Sequence, residues 1–315
     1  MNNNDGPELI GLGRTGRVMR YGNIAVKTAN IWTAPEDASE RTRIGWEHMI
    51  ELNMESLKHE GLVYCHLGHV QGVIKPCKVS DTEIQMPYLR QGSLSGYLRA
   101  HSDSVDSIQR SRWLQEAAHT IRRVHERRVL VADIATRNFL LDENLSLQMC
   151  DFTESVIVSN DEEMANFVSE DFVSVKFDIA RFGSMMYEVT SGSRYEFYVV
   201  PEIDTDLDDD PESKTFKAWP TAEKLPNTDN VFLGGIIRRC WVRDGFLTMQ
   251  EVCHALDNAD QKPAALKASA TYWKDTDIIK VELIPERELP NPGPSQGIIT
   301  FCIILRAGED VRIIH

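Results

Sequence analysis

The sequence contains no apolar run of the roughly 18–20 residues that a membrane-spanning helix needs. Its longest candidate, Ile298 to Leu305, is interrupted by Thr300 and has the length of a strand. No membrane span is expected. Basic charge is scarce as well: 34 lysines and arginines face 48 acids, for a formal charge of −14. That balance repels phosphate backbones and anionic lipid, which disfavours nucleic-acid binding as the main role. The N-terminus, Met1 to Gly13, carries neither a basic leader nor an apolar stretch behind it, so no secretory signal is expected. Cysteine is present without a pattern. None of Cys65, Cys77, Cys150, Cys240, Cys253 and Cys302 forms a C-x-x-C pair, which argues against a zinc site or a disulfide framework. Buried, reduced thiols in a cytoplasmic or nuclear protein are the expectation. There is no internal repeat.

What remains is ordinary globular composition, 42% hydrophobic and 26% charged over 315 residues. That length predicts two domains or one large two-lobed one. Residues 8–30 read as a hairpin about the turn Tyr21-Gly22-Asn23. Residues 41–68 read as a helix weakened by Gly45 and Gly61, and 70–88 as two strands separated by Ser80-Asp81-Thr82. A short helix can start at Leu94. From Ser107 to Arg127 the apolar positions Trp113, Leu114, Ala117, Ala118, Ile121 and Val124 recur with helical period. Residues 129–131, 139–141 and 147–149 are short strands around two loops. Residues 179–189 suit a buried helix, and 231–258 two more. Strands first and helices afterwards predict an α+β layout in two lobes.

Gly11, Gly13, Gly16 and Val18 fit the pattern G-x-G-x-x-G-x-V. Glycines let backbone amides approach phosphate oxygens closely, although a plain glycine-rich hairpin fits too. A dinucleotide fingerprint would need a helix at the third glycine, and the sequence gives strand–turn–strand instead. Lys27 ends the apolar strand Ile24-Ala25-Val26, where it can reach phosphates or point to solvent as an edge lysine. Asp133 and Asn138 are five positions apart, and Asp151 lies eighteen beyond Asp133. Polar groups at the ends of short apolar strands converge if those strands pair. Two carboxylates and an amide can then hold magnesium and orient a hydroxyl, or they are simple turn residues.

The order of these elements resembles the eukaryotic protein kinase family, from about Glu8 to Leu256. Ile84 to Leu89 followed by Gly92-Ser93-Leu94 looks like the hinge between the lobes. Asp178 to Gly183 looks like the buried helix of the large lobe, and Cys240-Trp241 like its last helices. The texture of Arg137 to Asp142 and Cys150-Asp151-Phe152 is similar to divergent fungal kinase-like proteins. The resemblance implies a kinase-like domain over 8–258, with an N-lobe at about 8–86, a hinge at 86–90, a C-lobe at 91–258 and an extension at 259–315. It implies that ATP and Mg²⁺ are used to phosphorylate a protein hydroxyl. Gly11, Gly13 and Gly16 would cover the phosphates and Lys27 would bind them. Glu60 would pair with Lys27, with Glu55 as the fallback. Val18 and Ala25 above and Leu140 below would enclose adenine, beside the Met86, Pro87 and Leu89 backbone. Asp133 would accept the substrate proton, Arg137 would supply charge, and Asn138 and Asp151 would hold the metal.

Departures from the family pattern accompany these matches. Val131-Ala132 stand where His-Arg is usual, Ala135 where a lysine is usual, and Thr153 where a glycine is usual. The β-branch of Thr153 resists positive φ, so the loop should move less freely. The span from Asp151 to Asp178 is short and lacks Ala-Pro-Glu. These departures motivate a second reading, a nucleotide-binding pseudokinase that acts as a scaffold. A small-molecule kinase is a third. Glu202 to Glu212 holds seven acids and no base, which would favour a basic protein substrate. A calcium loop there fails, because Asp209 and Thr215 stand where glycine and glutamate are required. His48, His59, His66 and His69 lack ligand spacing and read as surface or helix residues.

Overall fold

The computed structural model describes residues 6–35, 37–101, 103–198, 200–202 and 216–259, with the backbone of 280–281, 303–307 and 310–314. Residues 203–215, and with them most of the acidic run and the rejected calcium loop, lie outside the described residues.

The N-terminal part is a five-stranded antiparallel sheet beside one long helix. Its strands are β1 (Glu8–Leu12), β2 (Gly16–Tyr21), β3 (Ile24–Ala29), β4 (Lys78–Val79) and β5 (Ile84–Pro87), in the order β1-β2-β3-β5-β4. The single hairpin expected over 8–30 is two hairpins. Tyr21 pairs with Ile24 across the expected turn, and the glycine-rich stretch folds back as well, with Gly13 N–H donating to Gly16 O at 2.8 Å. Gly16 has no room for a side chain, because a Cβ there would lie 2.9 Å from Thr28 O.

Helix α1 (Glu40–Leu67) follows β3. Ser39 caps it by accepting from Thr42 N–H, and Gly68 ends it with a bond to Tyr64 O. It buries Leu57, Glu60, Gly61, Val63, Tyr64 and Leu67, spaced to share one face. That face carries a glutamate into the interior beside the sheet.

Helices dominate the rest. α2 (Leu94–His101) and α3 (Ser107–Glu126) come first, the latter capped by Asp106. Its predicted apolar stripe is buried as expected. Each fully buried residue of the size of Leu114 or Ile121 contributes roughly 1.5–3 kcal/mol, far more than helix propensity does. β6 (Val129–Leu130) pairs with β9 (Val156–Ile157), a strand not expected from the sequence. β7 (Phe139–Leu141) pairs with β8 (Leu147–Met149). α4 (Val175–Ser191) is buried on nearly every side. At Gly183 a Cβ would lie 2.7 Å from Cys240 Cβ, so glycine lets α5 (Gly234–Trp241) pack directly on α4. β10 (Val200–Glu202) and β11 (Phe216–Ala218) form a small ladder, and α6 (Met249–Ala259) closes the helical part. In the tail the backbone of β12 (Lys280–Val281), β13 (Ile303–Ala307) and β14 (Asp310–Ile314) forms an antiparallel sheet.

The cysteine expectation needs correction. Cys65 and Cys77 are exposed, while Cys240 and Cys253 are buried. Burial pushes the Cys240 thiol up to about 12 and the Cys253 thiol up to about 11, so neither is a ready nucleophile. Among the described residues no helix is long and apolar enough to cross a membrane.

Candidate active site

Two clusters of charge lie where the sheet meets the helical part. The first is built on Lys27. Residues alternate across a strand, so Ala25 and Lys27 share one face of β3, and Met86 joins that face opposite Ala25. Val18 stands opposite Lys27 on β2. Lys27 Nζ lies 2.6 Å from Glu60 Oε2 and 2.9 Å from Asp151 Oδ1. The expected partner Glu60 is therefore in place, and the fallback Glu55 is exposed. Thr153 Oγ1 sits among all three. It accepts from Lys27 Nζ at 3.1 Å and lies 2.7 Å from Asp151 Oδ1 and 3.1 Å from Glu60 Oε2.

The electrostatics of this cluster follow from two carboxylates sharing one ammonium. Burial pulls the Lys27 ammonium down, but Glu60 and Asp151 outweigh it and hold Lys27 charged, above the ordinary lysine range. Burial also lifts the Asp151 carboxyl, yet Lys27 and the Thr153 bonds hold it below its ordinary value. For Glu60, burial wins and pushes the carboxyl up against the pull of Lys27. Its Oε1 is buried with no hydrogen-bond partner.

Asp151 sits at φ 66°, and its amide donates to Tyr64 Oη at 3.3 Å. The expectation for Thr153 thus changes its reason. The left-handed residue is Asp151, and Thr153 restrains the loop through its hydroxyl.

The second cluster surrounds Asp133, in the loop between β6 and a 3-10 turn at Thr136–Asn138. Asp178 on α4 accepts from the Val131 and Ala132 amides, both at 2.8 Å, and lies 2.8 Å from His125 Nε2. This anchor holds Ala132 at φ 64°. The Asp133 carboxylate then accepts from Arg137 Nη2 at 2.6 and 2.7 Å, from Asn138 Nδ2 at 2.9 Å, and from Arg181 Nη2 at 3.1 Å.

The hairpin of β7 and β8 joins the clusters. Phe139 pairs with Met149, so Asn138 just before one strand meets Cys150-Asp151 just after the other. Cys150 N–H donates to Asn138 O at 2.9 Å. The predicted convergence of Asp133, Asn138 and Asp151 at paired strand ends is what the backbone produces.

Among the described residues no three His, Cys, Asp or Glu side chains are grouped to hold a metal ion. The donor set still suits a hard cation. Asn138 uses its amide nitrogen on Asp133, which leaves its oxygen as a ligand atom. Asp151 uses Oδ1 on Lys27, which leaves Oδ2. Mg²⁺ typically takes only one or two such protein oxygens and completes its shell with phosphate and water.

The glycine loop is fixed by a residue that the sequence reading missed. Asn30 Nδ2 donates to Gly13 O at 2.8 Å and to Arg14 O at 3.2 Å. Arg14 also pairs with Glu154, just beyond Asp151. At the segment expected to form the hinge, Leu89 O accepts from Gly92 N–H at 3.1 Å, and Leu140 is half-buried and bridged to Ser93. Pro87 is exposed at the end of β5 and, lacking an N–H, has only a carbonyl as backbone hydrogen-bonding group. Asp178, Arg181, Tyr64 and Asn30 carry the scaffold, yet none was assigned a site role from sequence. A signal did exist for the first two, since charged residues in an otherwise apolar helix need partners. His59 and His66 are also tied down, lying 2.7 Å from Ser155 O and 2.8 Å from Arg127 O.

Comparison with known proteins agrees with this geometry. Ephrin type-A receptor 3 of Danio rerio is 23% identical over 227 residues, covering 65% of this chain and 22% of the receptor. Ephrin type-B receptor 5 of Gallus gallus is 24% identical over 224 residues, covering 64% and 21%. The chain thus spans about a fifth of the length of the curated relatives it matches. The family model "Protein tyrosine and serine/threonine kinase" matches residues 9–244. With that match over most of its length, laid on a β-sheet region followed by a helical one, the chain belongs to the eukaryotic protein kinase family.

Proposed function

We propose that this chain is an ATP-dependent protein kinase that transfers the γ-phosphoryl group to a serine, threonine or tyrosine hydroxyl of a protein. The observation that carries the reading is the Lys27–Glu60 pair at 2.6 Å, joined to Asp151, with Asp133 and Asn138 one hairpin away. Phosphoryl transfer depends mainly on positioning and charge stabilisation, and these are the groups that supply both. Lys27 would hold the α- and β-phosphates beneath Gly11, Gly13 and Gly16. Val18, Ala25, Met86 and Leu140 would enclose the base, with hinge bonds from the Pro87 carbonyl and the Leu89 amide. Asp133 would orient the acceptor hydroxyl and take its proton as the new oxygen–phosphorus bond forms and the bond from the γ-phosphorus to the departing ADP oxygen breaks, and Arg137 would offset charge on the transferred group. The family generally uses ATP with Mg²⁺, and Asn138 and Asp151 would hold the metal, which neutralises phosphate charge. The proposed kinase domain spans 8–258, with lobes at 8–86 and 91–258 about a hinge at 86–90. An intracellular location, cytoplasmic or nuclear, is part of the proposal.

One observation favours the scaffold reading. Every oxygen of Asp133 is already engaged by Arg137, Arg181 or Asn138. Radiolabelled ATP, Mg²⁺ and mixed protein and peptide acceptors separate the two. Transfer by the wild type that disappears in Asp133→Asn and in Lys27→Met is the expected result. Magnesium-dependent ATP binding without transfer above those variants would replace the kinase by the scaffold.

A further inference from the structure

Helix α4 contributes two charged residues to the Asp133 loop. Asp178 and Arg181 are three positions apart, and so lie on one helical face. Asp178 fixes the backbone of Val131 and Ala132. Arg181 reaches the next residue in that loop, Asp133, by its side chain. Its Nη2 donates to Asp133 Oδ1 at 3.1 Å, and its Nη1 donates to Glu196 Oε1 at 3.1 Å. The arginine side chain is only 10% exposed, against 55% for Glu196. Its Nε is buried without a hydrogen-bond partner.

An arginine that only filled space in α4 would not need this arrangement. Burying a guanidinium is costly unless it is paired, and an unpaired buried donor adds to that cost. An apolar side chain could fill the same volume in a helix that is already buried. The cost is offset by two carboxylates, one of which is the group that would orient the substrate hydroxyl. Arg137 approaches that group from its own loop, and its side chain is 55% exposed. Arg181 approaches from the rigid helix below. The two guanidiniums therefore differ in mobility, and the buried one fixes the position of Oδ1. On its other side Glu196 is held in turn by Tyr198, whose hydroxyl donates to Oε2 at 2.6 Å.

We infer that Arg181 is a positioning residue for Asp133, a rigid half of a two-arginine clamp whose other side is braced by Glu196. The inference rests on the phosphoryl-transfer reading above and adds a residue to it. The charged groups facing the clamp are Asp133, Arg137 and Glu196, with the Asn138 amide beside them.

The test compares wild type, Arg181→Leu, Arg181→Lys and Glu196→Gln in phosphoryl transfer to a protein acceptor, and reads kcat, acceptor KM and nucleotide binding by thermal shift. Arg181→Leu should lower kcat by roughly tenfold to a hundredfold, as misplacement of a reacting group does. Nucleotide binding should stay in place. Arg181→Lys should recover part of the loss. An unchanged kcat, or a loss of nucleotide binding in parallel with kcat, would overturn the inference. If Arg181→Leu does not fold, Glu196→Gln on the exposed side carries the test. A lower kcat at unchanged melting temperature supports the clamp, and an unchanged kcat removes it. Wild type that transfers no phosphate defeats the kinase reading and takes this inference with it. Active wild type with an indifferent Arg181 defeats the inference alone.

Discussion

The Lys27 cluster and the Asp133 cluster solve opposite problems. The first is closed around its ammonium. Lys27 and Glu60 are almost fully buried while the Asp151 side chain, 41% exposed, faces outward, and three separate elements, β3, α1 and the segment after β8, deliver its members. Negative charge is in excess there, and one carboxylate oxygen has no partner. The second is open. Asp133 and Arg137 reach solvent, two arginines balance Asp133 and Glu196, and most Asp133 contacts come from within six residues of chain. The difference teaches which forces fix each site. In the closed cluster the charges hold each other, so losing one strands another without compensation. In the open cluster the backbone is fixed first, by Asp178 from below, and the side chains act on that platform.

The largest effect expected from this contrast is on the closed side. Lys27→Met removes the only ammonium that compensates Glu60 and Asp151 within the cluster. Removing one partner of a buried pair costs about 3–5 kcal/mol, because the other charge is left uncompensated. Denaturant unfolding should show that loss together with loss of nucleotide binding. Pairing it with Glu60→Leu should return much of the stability and none of the binding. If the single and double variants are equally unstable, the cluster is not held together by mutual compensation and the contrast fails.

On the open side a smaller effect is expected, and of a different kind. Asp178→Asn keeps one acceptor oxygen and replaces the other by an amide that cannot accept. One of the Val131 and Ala132 amides then loses its bond, at a cost of about 1–3 kcal/mol for a buried polar group. Hydrogen exchange should quicken at those two amides. Phosphoryl transfer should fall, while nucleotide binding through Lys27 persists. If nucleotide binding falls in parallel, the two clusters are one cooperative unit and the distinction drawn here is too sharp.

Their legibility in the sequence also differed, for a physical reason. Local spacing reveals groups held by local backbone, so Asp133, Asn138 and Asp151 could be proposed from paired short strands. Glu60 was reachable only through the family resemblance, which calls for a partner of Lys27 on α1; the spacing of Val63, Tyr64 and Leu67 then favours Glu60 over Glu55. Arg181 and Asn30 were not reachable, since nothing nearby in sequence says which buried polar group meets which loop. The glycine stretch was read as one arm of a hairpin because a three-residue reversal through Gly13 leaves no apolar pattern. Thr153 was read as a backbone problem, whereas its hydroxyl is what matters. The fold class, by contrast, followed from strong periodicity in α3 and the order of elements.

The acid limb of stability gives the finest test of the contrast. Asp151 faces Lys27, Glu60, Thr153 and the Tyr64 hydroxyl, and Lys27 holds its carboxyl below the ordinary value despite burial. A carboxyl whose folded value is depressed contributes stability above its unfolded value, near 3.9, and that contribution is lost as pH falls through the folded value. Asp151→Asn should therefore lower stability at neutral pH and flatten its decline below about pH 4, the unfolded aspartate range. Equilibrium unfolding at a series of pH values reads both. The sign is specific: a variant that is less stable at pH 7 should approach wild type as acid is added, because protonation removes from the wild type the same charge that the substitution removed. Parallel curves would mean that the Asp151 carboxyl titrates alike in the folded and the unfolded chain, so that neither the Lys27 ammonium nor the Thr153 bonds favour its charged form. The closed cluster would then owe its stability to burial and to the Lys27–Glu60 pair, with Asp151 an onlooker.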